Sequence, residues 1–89
     1  MCTMISVSTV ICGAGKGDHG SWFPVDQANV GFDHASHTQA EHALLLDFVN
    51  PNLGLDARVA LEMDLASGKA LIQSLQSAIE AAERSGVRE

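Results

Sequence analysis

The hydrophobic period of this chain changes once. Up to Met63 apolar residues recur at every second position, in short runs broken by glycine, proline or asparagine. Beyond Asp64 they recur at every third or fourth position. Period two marks a strand with one buried face, and a period near 3.6 marks a helix. Strands therefore come first and a single helix last, which is the order of an α+β fold and not of alternating βαβ units.

Residues 3–12 read as the first strand, with Ile5, Val7, Thr9 and Ile11 alternating with Ser6, Ser8 and Val10. The glycine-rich stretch 13–20 reads as a loop, because repeated glycine weakens any regular element. Residues 25–34 form a second strand, with Ala28, Val30, Phe32 and His34 on one face and Gln27, Asn29 and Asp33 on the other. A third strand spans 42–49, with His42, Leu44, Leu46 and Phe48 on one face; its other face, Ala43, Leu45, Asp47 and Val49, is also largely apolar. Asn50-Pro51-Asn52-Leu53-Gly54 is a turn, and residues 57–63 return as a fourth strand with Arg58 and Glu62 facing water. Asp64 caps a helix over 65–84, whose stripe of Leu71, Ile72, Leu75, Ala78, Ile79 and Ala82 ends before Gly86. Short connections predict a four-stranded antiparallel sheet followed by one amphipathic helix. One helix covers one face, so the second apolar face of the third strand predicts a second copy of the chain, completing or covering the sheet in a homodimer.

Composition narrows the function. At 89 residues the chain has the length of one domain, and with 46% hydrophobic residues it is too apolar to be disordered. A net charge of −6 with no basic patch argues against nucleic acid. No stretch approaches the roughly 18 apolar residues of a membrane span, and the first residues carry neither a basic segment nor a long apolar run, so a cytoplasmic protein is expected. On one extended strand Cys2 and Cys12 stand about 30 Å apart, too far for a disulfide, and reduced thiols fit that compartment. Cys12 keeps step with Ser6 and Ser8 and faces away from the core.

The densest polar cluster runs from Asp33 to His42 and holds three of the four histidines. If Phe32 pairs with Leu44 and Val30 with Leu46, the apolar faces stay together and His34 falls opposite His42. Opposed residues have Cβ atoms about 4.5–5.5 Å apart, close enough for two imidazoles to share Zn²⁺ or another first-row ion. His37 in the intervening loop is a candidate third ligand, Cys2 a possible thiolate, and Asp33 and Glu41 candidate orienting groups or oxygen ligands. The same three histidines are candidates for metal-free acid–base catalysis, and they equally fit a structural role at the rim of the core. Gly15-Lys16-Gly17-Asp18-His19-Gly20 has the spacing of a dinucleotide fingerprint, but Ser21-Trp22-Phe23-Pro24 follows in place of a helix, so nothing is there to hold a pyrophosphate. Trp22 and Phe23 either anchor the glycine loop or wall a ligand pocket.

Cys2-Thr3, Lys16-Gly17 before Trp22-Phe23, Asp33-His34 with His37, Glu41-His42, Asp47-Phe48 and Arg58-Val59-Ala60-Leu61-Glu62 together resemble a small, functionally uncharacterised family of actinobacterial proteins found near specialised-metabolite biosynthesis genes. The resemblance spans nearly the whole chain and implies a pathway role. The expected function is a histidine-cluster protein acting on a small-molecule intermediate, as a small lyase, isomerase or cyclase. The alternatives are a non-catalytic module that binds an apolar intermediate or partner protein, and an accessory subunit.

Overall fold

The elements follow in the order β1 (Ile5–Lys16), β2 (Trp22–His34), β3 (His42–Val49), a 3₁₀ turn at Pro51–Leu53, β4 (Arg58–Met63) and α1 (Leu65–Ser85). They are taken from a computed structural model that describes residues 5–39 and 41–87. The strands make one antiparallel sheet in chain order, β1-β2-β3-β4, and the helix follows, so the fold is α+β as the change of period predicts. The central register is the one that keeps apolar residues on a common face. Val30 pairs with Leu46, Phe32 with Leu44 and His34 with His42, and β4 continues the same rows with Leu61 beside Leu46 and Met63 beside Leu44.

The glycine-rich stretch departs from expectation. β1 runs on to Lys16 and β2 starts at Trp22, so the loop shrinks to 17–21. A bulge makes this possible: between Val10 and Gly13 the strand gains one residue on its partner, with Ile11 and Cys12 opposing Asp26. After the bulge Gly15 pairs with Phe23. A Cβ there would lie 3.1 Å from Val25 Cγ2 and 3.2 Å from Val59 Cγ2. Gly15 is therefore a strand residue where two valines leave no room for a side chain, and its closeness to Val59 shows that the sheet coils until the end of β1 reaches β4. The reversal itself is held by Gly17 N–H to Ser21 O and Gly20 N–H to Gly17 O, both 3.0 Å, with Gly20 at φ +78°. Cys12 lies in the bulge and is exposed.

Asn50 closes the β3–β4 connection. It is buried, its Nδ2 donates to Pro24 O at 2.9 Å, and its Oδ1 accepts from Asn52 N–H at 3.2 Å. At α1, Asp64 Oδ1 accepts from Ser67 N–H at 2.7 Å, and Gly86 at φ +72° ends the helix in the left-handed region.

The helix does not lie along the sheet. Its 21 residues span about 31 Å, yet Gly68 is its one buried residue among those described. There α1 rests on β3, and a Cβ at Gly68 would run into the Leu44 side chain. Farther along, Ile72 is 66% exposed, Leu75 56% and Ile79 51%. Among the described residues the buried apolar side chains are Val25, Ala43 and Ala57, and no large side chain is fully buried. The face opposite α1 is more polar than its alternating pattern suggests. Asn29 Oδ1 accepts from Ser8 Oγ and from Gln27 Nε2, each at 2.7 Å, and Arg58 Nε donates to Asp47 Oδ1 at 2.7 Å.

Candidate functional site

The predicted histidine pair forms at the last rung of the β2–β3 ladder. His34 and His42 oppose one another, their ring centroids are 4.5 Å apart, and their planes meet at 30°. His42 also stacks on Phe32, with centroids 5.8 Å apart and planes at 23°. Phe32, His42 and His34 thus make a short aromatic stack just beyond the Phe32–Leu44 pair, and both histidines are exposed to solvent. Asp33 Oδ1 accepts the backbone N–H of His34 at 2.8 Å. Ala35 N–H donates to Glu41 O at 3.2 Å, so backbone pairing continues past the rings before the loop begins.

His37 is held elsewhere, by a residue that sequence reasoning placed facing water. Glu62 on β4 gathers the loop between β2 and β3. Its Oε1 accepts from the backbone N–H groups of His37 at 2.8 Å and Thr38 at 3.1 Å. Its Oε2 accepts from Ser36 N–H at 3.2 Å and from Ser36 Oγ at 2.6 Å. The His37 Nδ1 lies 3.4 Å from Oε2 and 2.9 Å from Ser36 Oγ. The Ser36 hydroxyl, then the His37 N–H and the other donors, stabilise the carboxylate and draw Glu62 from the ordinary 4.5 down to about 2. With the Ser36 proton committed to Glu62, Nδ1 of a neutral His37 ring carries the hydrogen and Nε2 carries the lone pair. The His37 side chain is 87% exposed, so Nε2 looks into solvent. A groove of about 500 Å³ lined by His37, Arg58, Leu61 and Glu62 opens beside it. The one signal for Glu62 in the sequence is indirect: a Ser-His-Thr loop offers several donors and must find an acceptor on a neighbouring strand.

Among the described residues no group of three or more His, Cys, Asp or Glu side chains is arranged to hold a metal ion. Cys2 lies outside the described residues. Trp22 and Phe23 sit at the opposite end of β2 from His34, about 35–40 Å away along the strand. The Phe23 ring lies over the turn: a Cβ at Gly17 would be 3.5 Å from it. Trp22 is exposed. The apolar hollow of about 470 Å³ nearby is lined by Ile11, Val25, Phe48 and Val59 among others, and neither aromatic contributes to it. No described helix is long and apolar enough to cross a membrane.

Comparison with curated proteins and with solved structures gives no match. Residues 1–88 match a family of unknown function, DUF6295. With almost its whole length inside that match, the chain belongs to the DUF6295 family.

Proposed function

We propose that this is a small homodimeric protein of actinobacterial specialised metabolism whose working centre is the His34–His42 pair, holding a divalent first-row metal ion and acting on a small-molecule intermediate. The observation that carries the reading is the ring geometry. Two imidazoles on one tetrahedral ion, at about 2.1 Å from each nitrogen, have centroids about 5 Å apart, and these stand 4.5 Å apart on a fixed ladder, exposed to solvent. Two ligands from the pair leave coordination positions open, with Cys2 as a candidate to join, while His37 is held by Glu62. A bound ion supplies Lewis-acid polarisation of a carbonyl or an acidified water, the chemistry of a cyclisation, isomerisation or dehydration. The place in specialised metabolism rests on the family resemblance.

A second reading has its own observation. Glu62 and Ser36 fix the Nδ1 side of His37 and leave Nε2 outward, which is the arrangement of a metal-free general base.

Calorimetric titration of the untagged, chelator-free protein with Ni²⁺ tests the first reading, in a Cys12→Ser background that removes an exposed thiol. Micromolar binding is expected in the parent and His37→Ala proteins, with a loss of tenfold or more, at least the roughly 10–100-fold cost of losing an outer-shell partner, in both His34→Ala and His42→Ala. Equal affinity in His34→Ala and the parent, or no binding in the parent, overturns the metal reading.

A further inference from the structure

We infer that the open groove between α1 and the sheet is the seat of a second copy of this chain, with the partner's helix lying in it. This deepens the homodimer of the reading above by naming its surface, and that surface differs from the one the sequence suggested. The apolar pattern pointed to the Ala43–Val49 face of β3, but Asn29, Asp47 and Arg58 give that side a polar network. The uncovered apolar surface is the other face.

Four observations lead to a second copy. The first is area. A compact monomer of 9.4 kDa exposes about 5,000 Å², whereas this chain exposes 7037 Å². The excess of about 2,000 Å² per chain is beyond what one small ligand covers, and two copies that hid it from each other would bury about 4,000 Å² in total, within the roughly 2,000–5,000 Å² of obligate homodimers. The second is shape. The molecule extends 48 × 31 × 21 Å, and α1 touches the sheet near Gly68 and then runs on with Ile72, Leu75 and Ile79 more than half exposed. The angle between helix and sheet holds a groove of about 480 Å³, lined by Val30, Leu44, Leu46, Met63, Leu71 and Leu75 among others. The third is self-complementarity. One chain carries both an apolar helix stripe without a sheet and an apolar sheet face without a helix. A two-fold axis that lays each α1 across the other's sheet satisfies both, and the contact closes at two copies. The fourth is charge. Two chains of −6 each repel one another, but no carboxylate lines the groove, and its single charged residue is Lys69.

The test is the oligomeric state of the full chain by sedimentation velocity across micromolar concentrations, beside variants at two exposed apolar residues. The wild type is expected at twice 9.4 kDa. Ile72→Asp, on the helix stripe, is expected to sediment as a monomer. Val10→Asp, at an 87% exposed site on β1, is expected to remain a dimer. A monomeric wild type overturns the inference, as does an Ile72→Asp dimer or a dimer broken by Val10→Asp alone. Should Ile72→Asp fail to fold, the wild type still decides. Its urea midpoint rises with chain concentration if folding and pairing are coupled, and a concentration-independent midpoint overturns the inference. A monomeric wild type that takes up an environment-sensitive apolar dye at one per chain also overturns it, in favour of a small-molecule occupant. Ni²⁺ titration of the Ile72→Asp monomer separates this result from the histidine chemistry, since loss of pairing leaves the His34–His42 rings on their own ladder.

Discussion

Glu62 is the residue whose removal is expected to reveal most about the site, because five donors from three consecutive residues converge on one carboxylate. Those bonds lower its pKa from 4.5 to about 2. At about pH 3.5 an ordinary glutamate is about one-tenth ionised, whereas Glu62 remains more than about nine-tenths ionised. A depressed acid stabilises the folded state when charged, so its contribution is complete above about pH 4.5 and is lost as the pH falls from there through about 2. The assay is an amide proton–nitrogen NMR titration. The amides of Ser36, His37 and Thr38 all donate to this carboxylate, so they are expected to shift together with one midpoint near pH 2. In Glu62→Gln that transition is absent, and the three amides exchange faster with solvent at neutral pH. A common midpoint near 4.5, or three unrelated midpoints, would show that the loop is not gathered by Glu62 and would remove the basis for orienting His37.

Two substitutions test the sheet, each by thermal unfolding. Gly31→Ala places a Cβ 2.8 Å from the backbone oxygen of Ile5, an atom that cannot move without shifting β1, and is expected to cost about 1–3 kcal/mol, or roughly 4–8 °C in Tm for each kcal/mol. Unchanged stability would mean that β1 is not seated against β2 in this register. Asn50→Ala removes a buried side chain that bonds the Pro24 carbonyl and the Asn52 N–H, both on exposed residues, with an expected loss of about 0.5–1.5 kcal/mol for each hydrogen bond; a Tm equal to the parent's would refute the bridging role of that side chain.

The parts of this structure that were legible in the sequence are those set by periodicity. The apolar rows of β2 and β3 admit one pairing that keeps them together, and that pairing alone put His34 opposite His42. The caps of α1 were legible because Asp64 and Gly86 act locally. What was not legible depends on space and on distant partners. The glycines at 13 and 15 read as loop because glycine disfavours strands, and nothing in the sequence shows that Val25 and Val59 occupy the volume a Gly15 side chain would need. Glu62 read as a solvated residue because its donors lie some two dozen positions earlier in the chain. The helix stripe read as the cover of one sheet face, since periodicity gives the apolar side of a helix but not the direction in which it leaves its cap.

Two separate supports hold the histidines. The imidazole pair belongs to the ladder: a slip of β3 by one residue would turn His42 to the other face, and would carry Leu44, Leu46 and Phe48 to the side that bears Asn29 and Arg58. The pair is therefore protected by the apolar rows below it. His37 belongs to the loop, and the loop belongs to Glu62. If the division is real, Glu62→Gln at neutral pH releases His37 while leaving the rings of His34, His42 and Phe32 in contact. Nuclear Overhauser contacts between His34 and His42 and between Phe32 and His42 are expected to persist in that variant, while those between His37 and β4 vanish. Loss of both sets together would mean that the loop, and not the apolar register, brings the imidazoles face to face. The histidine pair would then be a product of Glu62 and not of the fold.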